Sequence, residues 1–203
     1  MRVFARILLS LTLFLAAIPA QAAVTITFWS HELGNSFPHA FFTLRGIPDR
    51  GGAPVDANYG FTPVSISPAM LFGNVKGRLD IAKPGYMRGS DAQFSLVLSD
   101  AQYDSILALV EEWSERGDPT YNLNTRNCVT FAREAARRAG LSGVDQPKLM
   151  KKPRSFLQAV AAANVGRVVI VKQHGKAYMA TLAPITPPSV SLGTAVTQPA
   201  RAQ

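Results

Sequence analysis

The chain predicts one α+β domain in which an antiparallel sheet packs against helices. Three observations carry that expectation. The first third of the domain alternates apolar and polar residues in short runs broken by Gly and Pro, the period of half-buried strands. The middle third contains two helical patterns, one with a capping box and one opening at the chain's single cysteine. Apolar runs return before the C-terminal stretch. The order strands, helix, helix, strands is that of an α+β domain rather than of alternating βαβ units.

The first residues read as a targeting segment, not as part of the domain. Arg2 and Arg6 precede an almost unbroken apolar run from Ile7 to Ile18, then Pro19 and the small-x-small site Ala20-Gln21-Ala22. Residues 1–22 are therefore expected to be a cleavable signal peptide. The apolar run is shorter than the roughly 20 residues a membrane span needs. The expectation is an exported, periplasmic protein whose mature chain begins at Ala23. Residues 23–182 form the domain, long enough for a real core, and 183–203, rich in Pro, Ala, Thr and Ser, read as a disordered tail.

Val24 to Trp29 is β-branched and aromatic, with Val24, Ile26 and Phe28 on one face. His39 to Leu44 is a second strand, closed by Gly46 and Pro48. Gly51-Gly52-Ala53-Pro54 is a turn, Val55 to Phe61 a third strand and Phe94 to Leu98 a fourth. Ser99 and Gln102 then form a capping box, and Tyr103, Ile106, Leu107, Val110 and Trp113 make one apolar stripe before Gly117. The second helix runs from Cys128 to Ala139, with Gly140 as its stop. Cys128, Ala132, Ala135, Ala136 and Ala139 share a small-residue face that permits close approach to a sheet, while Arg133, Arg137 and Arg138 face outward. A third helix spans Ser155 to Ala163. Val168 to Val171 and Ala177 to Leu182, across His174-Gly175-Lys176, read as a closing hairpin.

Formal net charge is +8, from 21 Lys+Arg and 13 Asp+Glu; removing Arg2 and Arg6 leaves 19 against 13, or +6. The basic residues are not interleaved with aromatics, so no nucleic acid is expected as a partner. Anionic lipid head groups or cell-wall polymer suit an exported basic protein better, and peripheral contact with an anionic membrane surface is one expectation. Three scattered histidines without His-x-x-x-His or Cys-x-x-Cys spacing do not predict a zinc site, and no cofactor is expected.

A single cysteine makes no internal disulfide, so its presence in an exported chain needs either burial or use. The polar stretch Tyr121 to Asn127 ends at the thiol, which places Cys128 in the first turn of a helix. Helix N–H groups and the dipole there favour thiolate. His39, among Phe37, Ala40, Phe41 and Phe42, offers an imidazole on a facing strand as general base. Backbone N–H groups around Cys128 could serve as an oxyanion hole. His31 competes for the role but leads into a Gly-Asn loop, and His174 lies in a turn.

The order of histidine strand and later Asn-Cys helix resembles circularly permuted papain-like enzymes, the lecithin–retinol acyltransferase-like and permuted NlpC-type proteins. Glu32 to Ala40 (ELGNSFPHA), Asn58-Tyr59-Gly60, and Tyr121-Asn122 with Asn127-Cys128 are more closely similar to segments of the periplasmic domain of bacterial lipoprotein intramolecular transacylases. The resemblance implies a permuted papain-like fold, with Cys128 as nucleophile and His39 as base. It implies that Asn58 or Tyr59 orients the imidazole or completes the site, and that Ser36 shapes the turn before His39. Pro38 stands where that family has Gly. The polar stretch after Leu182 occupies the place of the family's membrane region, so a soluble relative using the same thiol chemistry is expected.

The activity so implied is that of a cysteine hydrolase or acyltransferase working through a covalent acyl-enzyme. Its substrate would be an amide or ester in cell-wall peptide or in a lipid or lipoprotein. A lipid substrate predicts an apolar slot near Phe41, Phe42, Phe61 and Phe72. Lys148, Lys151, Lys152 and Arg154 are expected as a basic rim. The alternative is a non-catalytic envelope-binding domain that retains the fold and buries an inert Cys128.

Overall fold

The computed structural model describes residues 23–32 and 37–186. The expected signal peptide, most of the expected tail and Ser36 lie outside the described residues. The described elements follow in order: β1 Val24–His31, β2 His39–Gly46, β3 Val55–Pro63, β4 Val75–Asp80, α1 Pro84–Arg88, β5 Asp91–Leu98, α2 Asp100–Glu112, β6 Thr120–Tyr121, α3 Cys128–Arg138, α4 Pro153–Ala163, β7 Val169–His174 and α5 Gly175–Thr181. Single 3₁₀ turns occur at Pro68–Leu71 and Pro147–Leu149.

The seven strands form one antiparallel sheet in the order β6-β4-β3-β2-β1-β5-β7. The α+β class with an antiparallel sheet is therefore observed. Strand alternation divides the side chains between two faces. Ile26, Phe28, Phe42, Leu44 and Phe94 meet α2, α3 and α4 in the main core. Trp29, Phe41 and Ala92 form a smaller cluster on the other face, covered by Tyr86 and Met87 of α1 and Tyr178 and Met179 of α5. The rings of Phe42 and Phe131 stack at 5.4 Å, which locks α3 directly under β2.

The capping box of α2 is present: Ser99 Oγ accepts from the Gln102 N–H, and Gln102 Oε1 accepts from the Ser99 N–H at 2.9 Å. Of its apolar stripe, Tyr103, Ile106 and Trp113 are buried with Leu109, while Leu107 and Val110 are only partly covered. The helix ends at Glu112, five residues before Gly117. Helix α3 matches its expected span to within a residue. Every member of its small-residue face is buried, and Gly140, at φ 77°, ends it. Gly140 donates to the Arg137 carbonyl and Leu141 to that of Ala136, the Schellman pattern that a left-handed residue permits. Arg138 is not an outward, solvated side chain. It is held by Glu112 at 2.6 Å and Glu134 at 3.0 Å, and it donates to the Ser105 carbonyl, tying α3 to α2.

The expected closing hairpin is corrected. Val169–His174 is a strand paired with β5, but Gly175–Thr181 is a helix. Lys, Ala and Met favour that state, and helical spacing lets Tyr178 and Met179 cover Trp29; the Tyr178 and Thr27 hydroxyls lie 3.2 Å apart. Its first residue must be small, since a Cβ on Gly175 would collide with the Met87 carbonyl.

Candidate functional site

The thiol's position is set by its N-cap. Asn127 Oδ1 accepts from the Val129 N–H at 2.8 Å and the Thr130 N–H at 3.0 Å, and Thr130 Oγ1 accepts from the Asn127 N–H. The Asn127 amide also donates to the carbonyls of Leu123 at 2.8 Å and Met150 at 3.0 Å. One side chain thus caps α3, closes the loop before it and anchors the 147–152 segment beside it. The loop is itself a closed turn. Asn122 and Arg126 exchange both backbone hydrogen bonds at 2.9 Å, and Asn122 Oδ1 accepts from the N–H groups of Asn124 and Thr125. The Arg126 guanidinium lies 3.7 Å above the Trp113 ring, which packs the turn onto the core.

Cys128 is buried against β2. The backbone N–H groups of Ala40, Val129 and Cys128 favour an anionic sulfur, but burial outweighs them and pushes the thiol up to about 11. Burial thus opposes the thiolate that a helix start favours. Helix α3 packs its first turn beneath β2, and the dipole cannot replace lost hydration there.

His39 is the first residue of β2. It lies directly opposite His31 of β1 and stacks with Phe41 at 6.1 Å. Its Nε2 is enclosed and has no hydrogen-bond partner. Burial pulls the imidazole down to about 4, with His31 adding to the fall and Asp80 opposing it. Register explains Asp80's influence. Gly60 sits between Phe41 on one side and Asp80 on the other, so His39, Gly60 and Asp80 belong to one face. A Cβ on Gly60 would land on His39 Nε2, so the absence of a side chain there makes room for the ring.

Cys128 and His39 line the same cavity, of about 290 Å³, together with Asp80, Tyr121 and an apolar wall. Strand alternation starts them on opposite faces, and the cavity joins them around the end of the sheet where β2 and α3 begin. Among the described residues no hydrogen bond links thiol to imidazole. The wall comes from Phe61, Ile66 and Met70 on one side and from Met150 and Pro153 on the other.

Asn58 and Tyr59 do not line this cavity. Asn58 makes a two-way bond with the Ala82 backbone, accepting from its N–H at 2.6 Å and donating to its carbonyl at 3.2 Å. It thereby fixes the chain just beyond Asp80. Tyr59 faces the main core, 5.9 Å from Phe42. His31 bonds Ser90 at 3.0 Å and stacks on Tyr86 at 4.2 Å, and His174 ends β7; neither lines the cavity.

The expected apolar slot is also corrected. Phe41 and Phe42 are buried in opposite clusters and Phe72 is exposed; of the four, Phe61 alone lines the cavity. Within the expected basic rim, Lys151 lines the cavity. Lys148, Lys151 and Lys152 are exposed, whereas Arg154 is paired with Asp91 at 2.5 Å and Glu32 at 3.1 Å. Reading the sequence missed Asp80. Its signal was available only through pairing with Gly60, because β4 is short and charged. No family model matches the chain, and no curated protein or solved structure matches it.

Proposed function

We propose that the chain is an exported cysteine hydrolase or acyltransferase of permuted papain-like architecture, acting on amide or ester bonds of cell-envelope material. One observation carries this reading: a thiol in the first turn of a helix and an unpartnered imidazole share one cavity large enough for an acyl group. The cell envelope comes from the N-terminal segment and the motif resemblance. Cys128 is the nucleophile and His39 the general base; Asp80 is a positioning residue that favours the imidazolium.

In the reaction, the thiol proton passes to the imidazole through the cavity, and sulfur bonds to the acyl carbon. The Ala40, Val129 and Cys128 N–H groups stabilise the sulfur as its proton leaves, and the carbonyl electron pair moves to oxygen. The imidazolium returns the proton to the leaving amine or alcohol as its bond to carbon breaks. Water or an acceptor amine then attacks the thioester carbon while the imidazole takes its proton; the carbon–sulfur bond breaks and that proton returns to the sulfur, giving hydrolysis or transfer and restoring the thiol.

A second reading is the envelope-binding domain without catalysis. It is favoured by the neutral resting pair and by the lack of a bond between its members. The two are separated by incubating the chain from Ala23 with p-nitrophenyl esters of acetate and longer acids, following nitrophenol release and intact mass. The enzyme reading expects an acyl adduct on Cys128 and turnover that is lost in Cys128→Ala and His39→Ala. Equal release by native and Cys128→Ala chains, with no adduct, would assign the fold to binding.

A further inference from the structure

The rim of the cavity is unusually apolar for an exposed surface. Residues 64–73 turn through the 3₁₀ segment Pro68–Leu71 and carry no charge at all. Phe72 is 87% exposed, Ile66 65% and Leu71 63%, and Phe37, another residue of the cavity lining, is 61% exposed. Ile66, Met70 and Phe37 line the cavity that holds the thiol, and Leu71 and Phe72 follow Met70 directly in the chain. A patch holding two free phenylalanines, an isoleucine and a leucine marks an interaction site.

The opposite wall has a different chemistry. Residues 146–152 contain Lys148, Lys151 and Lys152 and no acidic residue. All three lysines are exposed, and none makes an ion pair among the described residues. Asn127 holds this segment through the Met150 carbonyl, and Lys151 lines the cavity itself. An uncharged apolar prong and a triplet of unpaired lysines flank one opening. That combination fits the acyl–headgroup boundary of an anionic phospholipid bilayer, where side chains such as Phe and Leu insert and lysines meet phosphate.

We infer that the 64–73 loop inserts into an anionic membrane, with Lys148, Lys151 and Lys152 on head groups, and seats the cavity mouth on the bilayer. This deepens the proposed function, since a substrate would then enter as an acyl chain from the membrane; the docking surface itself does not depend on catalysis.

The test is flotation of the chain from Ala23 to Gln203, which carries every described element, with two kinds of vesicle. One contains phosphatidylethanolamine and phosphatidylglycerol, the other phosphatidylcholine alone. Binding is expected to the first, to weaken with salt, and to fall roughly tenfold or more in the Leu71→Ser/Phe72→Ser double variant. Val97→Ser, an equally exposed apolar change on β5, should bind as the native chain does. Cys128→Ala should also bind normally, so loss of enzymatic activity and loss of docking are separately visible. Absence of binding, or binding indifferent to the double variant, overturns the inference. So does a dimer in light scattering without vesicles that the double variant dissolves, which would assign the loop to a second copy of the chain.

Discussion

Lowering the pH should destabilise this protein through His39, and the size of the effect follows from where the ring sits. Its folded value is about 4 against an ordinary 6.5, because Nε2 is enclosed without a partner. The folded chain thus binds fewer protons than the unfolded chain between those values. Stability is fully present above 6.5 and is lost as pH falls toward 4. Between about pH 7.5 and about pH 4.5 the loss from this one group amounts to about 2–3 kcal/mol. Urea denaturation at both pH values, on the native chain and on His39→Gln, isolates it, since other groups titrate alike in the two. The native midpoint should fall on the order of 1 M further than that of the variant. Parallel losses in the two chains would refute the enclosed neutral imidazole and with it the base assigned to Cys128.

Three further outcomes are expected. Alkylation of Cys128 by iodoacetamide at neutral pH should run at least roughly 300-fold slower than for a free cysteine, from thiolate fraction alone, and should rise with an apparent value of about 11; a plateau reached below neutrality would mean a thiolate–imidazolium pair. Gly60→Ala should displace the His39 ring and raise its titration toward 6.5, read from the imidazole proton shifts, at a cost of about 1–3 kcal/mol; an unmoved titration would refute the packing argument. Asn127→Ala should lower stability by about 2–3 kcal/mol in denaturation, because it removes a helix cap and leaves the Leu123 and Met150 carbonyls without their donor. Asn127→Asp keeps the cap but sets a carboxylate oxygen against the same two carbonyls, so it too should lose stability.

The parts of this fold that could be read from sequence are those fixed within a few residues. Ser99 and Gln102 lie three apart, and a capping box needs nothing else. The alternation of β1 and the small face of α3 are likewise local, and both elements stand where their patterns place them. Strand β4 escaped detection because Val75-Lys76-Gly77-Arg78-Leu79-Asp80 is polar, and pairing with β3 makes it a strand. Helix α5 was mistaken for a strand because its burial depends on Trp29, a residue far away in sequence. The site divides in the same way. Cysteine and histidine could be named from their local settings, and the fold brings them to one cavity. The roles implied for Asn58 and Tyr59 depended on which face of β3 each occupies and on what covers it, which only the sheet order decides.

The charge state of the pair constrains how such a site could work. A thiol held at about 11 is about 4 pH units from ionising at neutrality, equivalent to about 5 kcal/mol. His39, at about 4, cannot hold the proton in the resting state. An enzyme built this way does not store a thiolate; it forms one only as the sulfur bonds to carbon, when the negative charge moves to the carbonyl oxygen. Among the groups around His39, the Asp80 carboxylate is the influence that favours imidazolium, against burial and His31. The same burial protects the thiol. Oxidation proceeds through thiolate, and at roughly one part in ten thousand ionised a lone cysteine can persist in the oxidising compartment that the N-terminal segment predicts. Reactivity that appears only with substrate present would reconcile a single unpaired cysteine with the proposed export, and it makes acyl-adduct formation a more telling assay of this site than the reactivity of the free thiol.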